Sequence, residues 1–255
     1  MAVLQSCDKR EQVSMDAMQA PVWNERWEVL LADGTDAKDA QFAVPVVDTA
    51  FVAKRIDHIR KSGGGGFFLL EIDSNAGNNA PLMLHIPAQE RRELEALQRR
   101  DGEGPMAFKK RVDRHKKEQA LAEAAFREEE ILWGADRKVF LEDCRGLLER
   151  AYRKDHPEHG ASDVIGGFNK AFNILREIRP VDRPVEKVVI AFTDAEHNLK
   201  GRTLQVLPED VIIIVVNPSS ESTKMCLPDS AVTVVAHPAS VADALMRATG
   251  NTTSH

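Results

Sequence analysis

Two short polar segments carry oxygen-bearing side chains at places where chemistry is possible. Thr193-Asp194 directly follows the apolar run Val188–Phe192, and Ser162-Asp163 directly precedes apolar residues at helical spacing. A run of β-branched and aromatic residues predicts a buried parallel strand, and open α/β sheets build their sites at the carboxyl ends of such strands. Hydroxyl and carboxylate oxygens are the ligands that Mg²⁺ prefers. These segments therefore point to a cation site or an acid–base site at one edge of a sheet.

The loop after this strand offers the acid–base interpretation. Asp194, Glu196 and His197 lie close together in the sequence, and a carboxylate beside a histidine tunes the histidine pKa for proton transfer. The sequence has no Gly-x-Ser-x-Gly nucleophile elbow and no His-Glu-x-x-His pair to support a reaction. An acidic turn exposed to water is the favoured interpretation of this loop.

The same segments resemble the second half of a von Willebrand factor A-like domain. Residues 161–168 resemble the family's Thr-Asp-aliphatic helix start, and residues 189–198 resemble its strand that ends in Leu-Thr-Asp-Gly. The resemblance covers residues 160 to 248 and extends only loosely to the first half. It implies that Ser162 and Asp194 occupy the threonine and aspartate positions of one divalent-cation site.

The family's third metal loop, Asp-x-Ser-x-Ser after the first strand, has no match in this sequence. Two degenerate loops compete for its place. The loop at Asp48 follows the predicted strand 42–47 and opens a helix, as the family's topology requires. The loop at Asp73 offers more oxygen but leads into a hairpin strand. Topology favours the first, so the expected ligands of a weak Mg²⁺ site are Asp48, Thr49, Ser162 and Asp194. In the alternative, no cofactor binds and Ser162 is only a helix cap.

The elements that must position these residues predict an α/β fold. Near-continuous apolar strands separated by connecting segments indicate a mostly parallel, doubly wound sheet with helices on both faces, the three-layer αβα arrangement of Rossmann-like and von Willebrand factor A-like domains. Such strands are expected at 67–72, 188–193, 211–216 and 232–236. A loop rich in Asn, Asp and Gly joins the first of these to residues 82–86, which predicts an antiparallel hairpin at one edge.

The remaining segments differ in composition from this core. Residues 1–24 are polar and unpatterned, which predicts a flexible N-terminal arm ahead of a single domain spanning 25–255. Residues 88–155 are charged and rich in helix formers, so we expect a helical insertion of two or three helices, broken before Pro105 and again at Gly134.

A basic patch lies in this helical insertion. It is formed by Lys109, Lys110, Arg111 and Arg114, and acidic residues at 128–130 follow it. Opposite charges at helical spacing favour a solvated helix face, and contact with an acidic partner is the alternative. The net charge of -6 and the pI of about 5.8 argue against a protein whose main task is to coat nucleic acid.

Cysteine usage and hydropathy set the expected compartment. Cys7, Cys144 and Cys226 are widely separated and odd in number, which favours reduced thiols in a cytoplasm over a disulfide framework or a cysteine zinc cluster. No apolar run approaches the roughly 20 residues needed to span a bilayer, so no membrane segment is predicted.

Two functions follow from these patterns. The first is a non-enzymatic interaction or adaptor module of the von Willebrand factor A-like type, which binds a protein partner in a larger assembly. Its expected partner-binding residues are Asp73, Asn75, Asp163, Glu196, His197, Lys109, Lys110, Arg111 and Arg114. The alternative is a metal-dependent hydrolase, a phosphoesterase or nuclease, in which Asp48, Asp73 and Asp194 hold magnesium and activate water.

Overall fold

The structure is a computed structural model that describes residues 24–34, 46–89, 97–152, 162–180, 183–193, 201–217, 226–228 and 231–250. The predicted N-terminal arm lies outside the described residues, apart from residue 24. The described strands are β1 (Glu25–Asp33), β2 (Gly65–Ile72), β3 (Leu82–Ile86), β4 (Val185–Phe192), β5 (Val211–Val216) and β6 (Thr233–Val235). The α-helices are α1 (Thr49–Ser62), α2 (Pro105–Ala151), α3 (Val164–Glu177) and α4 (Val241–Gly250), and two short 3-10 helices cover Ala76–Asn78 and Pro238–Ser240.

The six strands form one sheet in the order β3-β2-β1-β4-β5-β6. Four of the five neighbouring pairs are parallel, and β3 is antiparallel to β2 at the edge. The predicted α/β class, the mostly parallel sheet and the antiparallel edge hairpin are confirmed. β1 lies near the middle of the sheet, which explains why its stretch Val29–Ala32 is apolar on both faces.

Hydrophobic cores cover both faces of the sheet. On one face, Leu30 and Ala32 of β1 pack with residues of α1, α2 and α4. On the other face, Val29 and Leu31 pack with α3. Because successive side chains of a strand point to opposite faces, every odd-numbered residue at the end of β1 points toward α3. This alternation decides where Asp33, the last residue of β1, can place its carboxylate.

Helix α1 begins and ends as its sequence predicts. Asp48 is its N-cap, and Asp48 Oδ1 accepts a hydrogen bond of 2.7 Å from the amide of Phe51. Gly63 ends the helix with a φ of 130°, a conformation that glycine adopts without steric cost. The strand expected at 42–47 falls largely outside the described residues, and Val46 and Val47 are not in a strand.

The helical insertion differs from the prediction. α2 is one helix of 47 residues that begins at Pro105 and continues through Gly134, where we expected a break. Proline is well suited to a first helical position, and a single exposed glycine costs about 1 kcal/mol, which strong helix formers on both sides offset. Among the described residues, no helix combines the length and the apolar content that crossing a membrane requires.

A network of charges is buried at the amino-terminal end of β1. Glu28 is fully buried and accepts two hydrogen bonds from the guanidinium of Arg55 in α1, one of them 2.9 Å long. Arg26 pairs with Glu186 of β4 and contacts His58 of α1. The network ties α1 to two central strands, and charges buried in this way are stable only while they are paired.

The position of His58 in this network predicts how stability depends on pH. Partial burial, and then the charges of Arg26 and Arg55, lower the pKa of His58 below 6.5, although Glu28 and Glu186 oppose the shift. The unfolded chain therefore binds this proton more readily, so the stabilising contribution is present above about pH 6.5 and is lost as the pH falls through the lowered pKa. We expect urea denaturation at pH 7 and pH 5 to show a larger loss of stability in the wild type than in His58→Gln. Equal losses in both proteins would contradict the role of His58.

Candidate functional site

The site lies at the carboxyl ends of β1 and β4, where the strand order reverses. From β1 the chain builds the sheet outward through β2 and β3, and from β4 it builds the opposite side through β5 and β6. In open α/β sheets the crevice at such a reversal is where ligands bind. Ala32 pairs with Phe192 in the parallel register of β1 and β4. The next residues, Asp33 and Thr193, therefore stand side by side and point toward α3.

The carboxylate of Asp33 accepts hydrogen bonds from hydroxyl groups of two other segments of the chain. Thr193 Oγ1 donates a hydrogen bond of 2.7 Å to Asp33 Oδ2. Ser162 Oγ donates a bond of 3.3 Å to Asp33 Oδ1. All three residues are buried, and Asp33 is 2% exposed. A carboxylate without partners at this depth would cost several kcal/mol, so the two hydroxyls keep Asp33 in place at the crevice.

The amino terminus of α3 positions Ser162. Asp163 is the N-cap of this helix, and its Oδ1 accepts a 2.9 Å hydrogen bond from the amide of Gly166. Asp163 Oδ2 lies 3.0 Å from Arg202 Nη2, a charge contact without the alignment of a hydrogen bond. The Asp163 amide donates a 2.7 Å bond to the carbonyl of Asp73 after β2. The positive end of the helix therefore faces the crevice.

The carboxyl end of α2 approaches the same strand end. A β-carbon on Gly34 would lie 1.7 Å from the carbonyl oxygen of Ala151, so only glycine fits directly after Asp33. The hydroxyl of Tyr152 accepts a 3.3 Å hydrogen bond from the amide of Val47. Burial raises the pKa of Tyr152, and the charge of Asp33 raises it further. The Tyr152 phenol thus stays protonated beside the site.

The predicted metal ligands have three different outcomes. Ser162 lies at the strand-end site, as expected, but its hydroxyl contacts Asp33. Asp48 and Thr49 are at the start of α1, and Asp48 Oδ1 is used to cap that helix. Asp48 as a metal ligand stays a prediction, whereas the strand whose end meets Ser162 is β1, and its terminal carboxylate is Asp33. Asp194 lies outside the described residues.

The predicted partner-binding residues near the strand ends are mostly engaged in local structure. Asp73 Oδ1 accepts a 2.7 Å hydrogen bond from the amide of Asn75, which closes a turn. Asn75 is exposed and accepts a 2.6 Å bond from the side chain of Asn78. Asp163 is fully buried, so it acts as a helix cap and not as an exposed contact. Glu196 and His197 lie outside the described residues.

The predicted basic patch lies far along α2 from this site. Lys109, Lys110 and Arg114 are exposed on the first turns of the helix. Arg111 donates bonds of 3.0 and 2.6 Å to the carboxylate of Glu103, and this pairing lowers the pKa of Glu103 to about 2. Arg111 therefore fastens the segment before α2 to the helix and is unavailable as a free cation.

Sequence reasoning missed Asp33 and Thr193 as members of one site. Asp33-Gly34-Thr35 reads as a turn because Asp-Gly is a common turn pair. The signal that identifies Asp33 is the unbroken apolar run before it, Val29–Ala32, which is the pattern of a strand buried on both faces. A carboxylate directly after a central parallel strand is at the site edge of the sheet.

The described donor atoms at this site, on Asp33, Ser162 and Thr193, are all oxygens. One carboxylate and two hydroxyls fit a hard cation such as Mg²⁺ or Mn²⁺, and they lack the nitrogen or sulfur ligands that zinc and copper favour. Within the part of the chain that the structure describes, no three His, Cys, Asp or Glu residues cluster as metal ligands. Such a cation would therefore rely on hydroxyls and water as well as on Asp33. Comparison with known proteins found no matching family model, no matching curated protein and no matching solved structure.

Proposed function

We propose that this chain is a von Willebrand factor A-like interaction module that binds a protein partner through a divalent cation at its strand-end site. The observation that carries the proposal is the carboxylate of Asp33 between the hydroxyls of Ser162 and Thr193. These residues come from β1, from the start of α3 and from the end of β4, the elements that the resemblance associates with a cation. Asp194 directly follows Thr193 and is proposed as a further donor.

Each residue has a defined role in this proposal. Asp33 supplies negative charge, and Ser162 and Thr193 fix the orientation of its carboxylate and add hydroxyl donors. The amino terminus of α3 makes the rim more positive, which favours an acidic group on the partner. A bound cation would supply the charge that attracts a carboxylate of that partner.

The hydrolase interpretation has less support from the geometry. It requires several carboxylates around one or two ions. Asp48 commits an oxygen to the amide of Phe51 in α1, and Asp73 commits one to the amide of Asn75 in its own turn. We therefore favour binding over catalysis at this site.

We place the proposed module in a reducing compartment such as the cytoplasm. Cys144 is a buried free thiol of α2, and burial raises its pKa to about 12. A thiol with that pKa is unreactive at neutral pH, so Cys144 acts as a small core residue.

The proposed function is tested with peptides selected from a random display library on the immobilised full chain in the presence of Mg²⁺. We expect binders that contain Asp or Glu and that lose at least about tenfold in affinity with EDTA or in Ser162→Ala. Ser62→Ala is the matched control, because Ser62 lies at the last turn of α1 and bonds the carbonyl of His58. Binders indifferent to both Mg²⁺ and Ser162 would contradict the proposal. Turnover of a generic phosphodiester that depends on Mg²⁺ and Asp33 would favour the hydrolase instead.

A further inference from the structure

Among the described residues, the contacts of α2 with the sheet and with α1 lie in its second half. Trp133, Phe140 and Leu147 recur every seven residues and are buried against the core. Glu130 pairs with Arg60 of α1, and this pair is the first described contact along α2 that joins the two helices. Residues 105–129 precede it and correspond to about 37 Å of helix at 1.5 Å per residue. Most of the side chains in that half are exposed.

An apolar stripe runs along the outward side of α2. Leu121 and Ile131 are 72% and 73% exposed, and Leu132 and Val139 are also large, apolar and exposed. Spacings of three, four and seven residues place these side chains on one side of a helix, together with the exposed alanines Ala124, Ala125 and Ala135. This side is distinct from the one that carries Trp133 and Phe140. A stripe of this kind is typical of a seam between two helices.

The charge of α2 changes sign along its length. Residues 109–117 contain six Lys or Arg side chains and one carboxylate, whereas residues 118–130 contain five Glu side chains and one Arg. Arg114, Leu121 and Glu128 are seven residues apart, so they share the outward side of the helix, and all three are exposed. The stripe therefore has a leucine at its centre, a cation one heptad before it and an anion one heptad after it.

We propose that α2 pairs with the α2 of a second copy of this chain in an antiparallel arrangement centred on Leu121. In that arrangement the two copies of Leu121 meet at the two-fold axis, and each Arg114 faces the Glu128 of the other copy. Ala107 then faces Ala135, and the stem of Lys110 lies on Leu132. A parallel pair would set basic against basic and acidic against acidic, which costs several kcal/mol and disfavours that arrangement. The charge pattern thus selects a symmetric, isologous dimer.

The proposal is tested by sedimentation equilibrium of the full chain over a range of concentrations. We expect the wild type to form a dimer and each charge reversal, Arg114→Glu or Glu128→Arg, to raise the dissociation constant at least about tenfold. The double variant Arg114→Glu/Glu128→Arg should recover most of the affinity, because it restores both pairs with their signs exchanged. Val206→Glu is the matched control, since Val206 is 84% exposed and lies on a different segment. Circular dichroism establishes that each variant keeps its helix content.

Three outcomes would overturn the proposal. If the wild type stays monomeric at every concentration, it does not form this helix–helix interface. A dimer that both single reversals leave unchanged forms through another surface. A double variant that remains as weak as the single variants contradicts the antiparallel pairing of Arg114 with Glu128. The strand-end site lies elsewhere on the fold, so none of these results depends on the proposed cation.

Discussion

Glu28→Gln is expected to lower the free energy of unfolding by about 3–5 kcal/mol, because it leaves the buried Arg55 guanidinium without its counter-charge. Glu28 is fully buried in the middle of β1, and Arg55 bonds it with two nitrogen atoms. Glutamine keeps the size of the side chain, so a cavity does not contribute to the loss. The measurement is guanidinium denaturation of both proteins, with comparison of midpoints and slopes.

Two further variants make this result specific. Glu123→Ala removes an exposed glutamate whose Arg127 partner lies 3.9 Å away, and we expect a change within about 0.5 kcal/mol. Glu28→Leu combined with Arg55→Met replaces the buried pair with apolar side chains and should recover most of the stability. A loss below about 1 kcal/mol in Glu28→Gln would mean that water reaches this network and that the charges are not truly buried.

Much of the fold could be predicted because the strands that form its core are unusually uniform in sequence. Val211–Val216 is an unbroken aliphatic run and forms β5 with the same boundaries. The starts of α1 and α3 were predicted from polar residues that precede apolar residues at helical spacing, and in the structure Asp48 and Asp163 cap these helices. In each case a local signal is sufficient, because burial on both faces or a single capping bond decides the structure.

The continuity of α2 could not be predicted from local signals. Gly134 is a helix breaker by propensity, but no atom outside its own helix turn crowds it and the residues on either side pack firmly through Trp133 and Phe140. Tertiary contacts on both sides of a weak position keep the helix intact. A glycine in the exposed first half of α2, which lacks such contacts, would interrupt the helix more effectively.

The site was only half predicted, and the reason is its non-local geometry. Ser162 and the end of β4 were identified from motifs, whereas the partner carboxylate was sought at Asp48. Asp33 meets Ser162 across 129 residues and Thr193 across 160 residues of sequence. This contact depends on the pairing of β1 with β4. Local sequence patterns do not determine the order of the strands in a sheet. Because Asp-Gly favours turns, Asp33 was taken as part of a turn and not as the end of a central strand.

The most direct test of the strand-end cation site is isothermal titration calorimetry of Mn²⁺ with the wild type, Asp33→Asn and Asp48→Asn. Asparagine has the shape of aspartate and can still accept the bond from Ser162, so the fold should persist while the charge is lost. We expect saturable binding of one ion in the wild type and in Asp48→Asn, and affinity at least about 100-fold weaker in Asp33→Asn. Equal binding in the wild type and Asp33→Asn, or no binding in the wild type, would contradict a cation site built on Asp33.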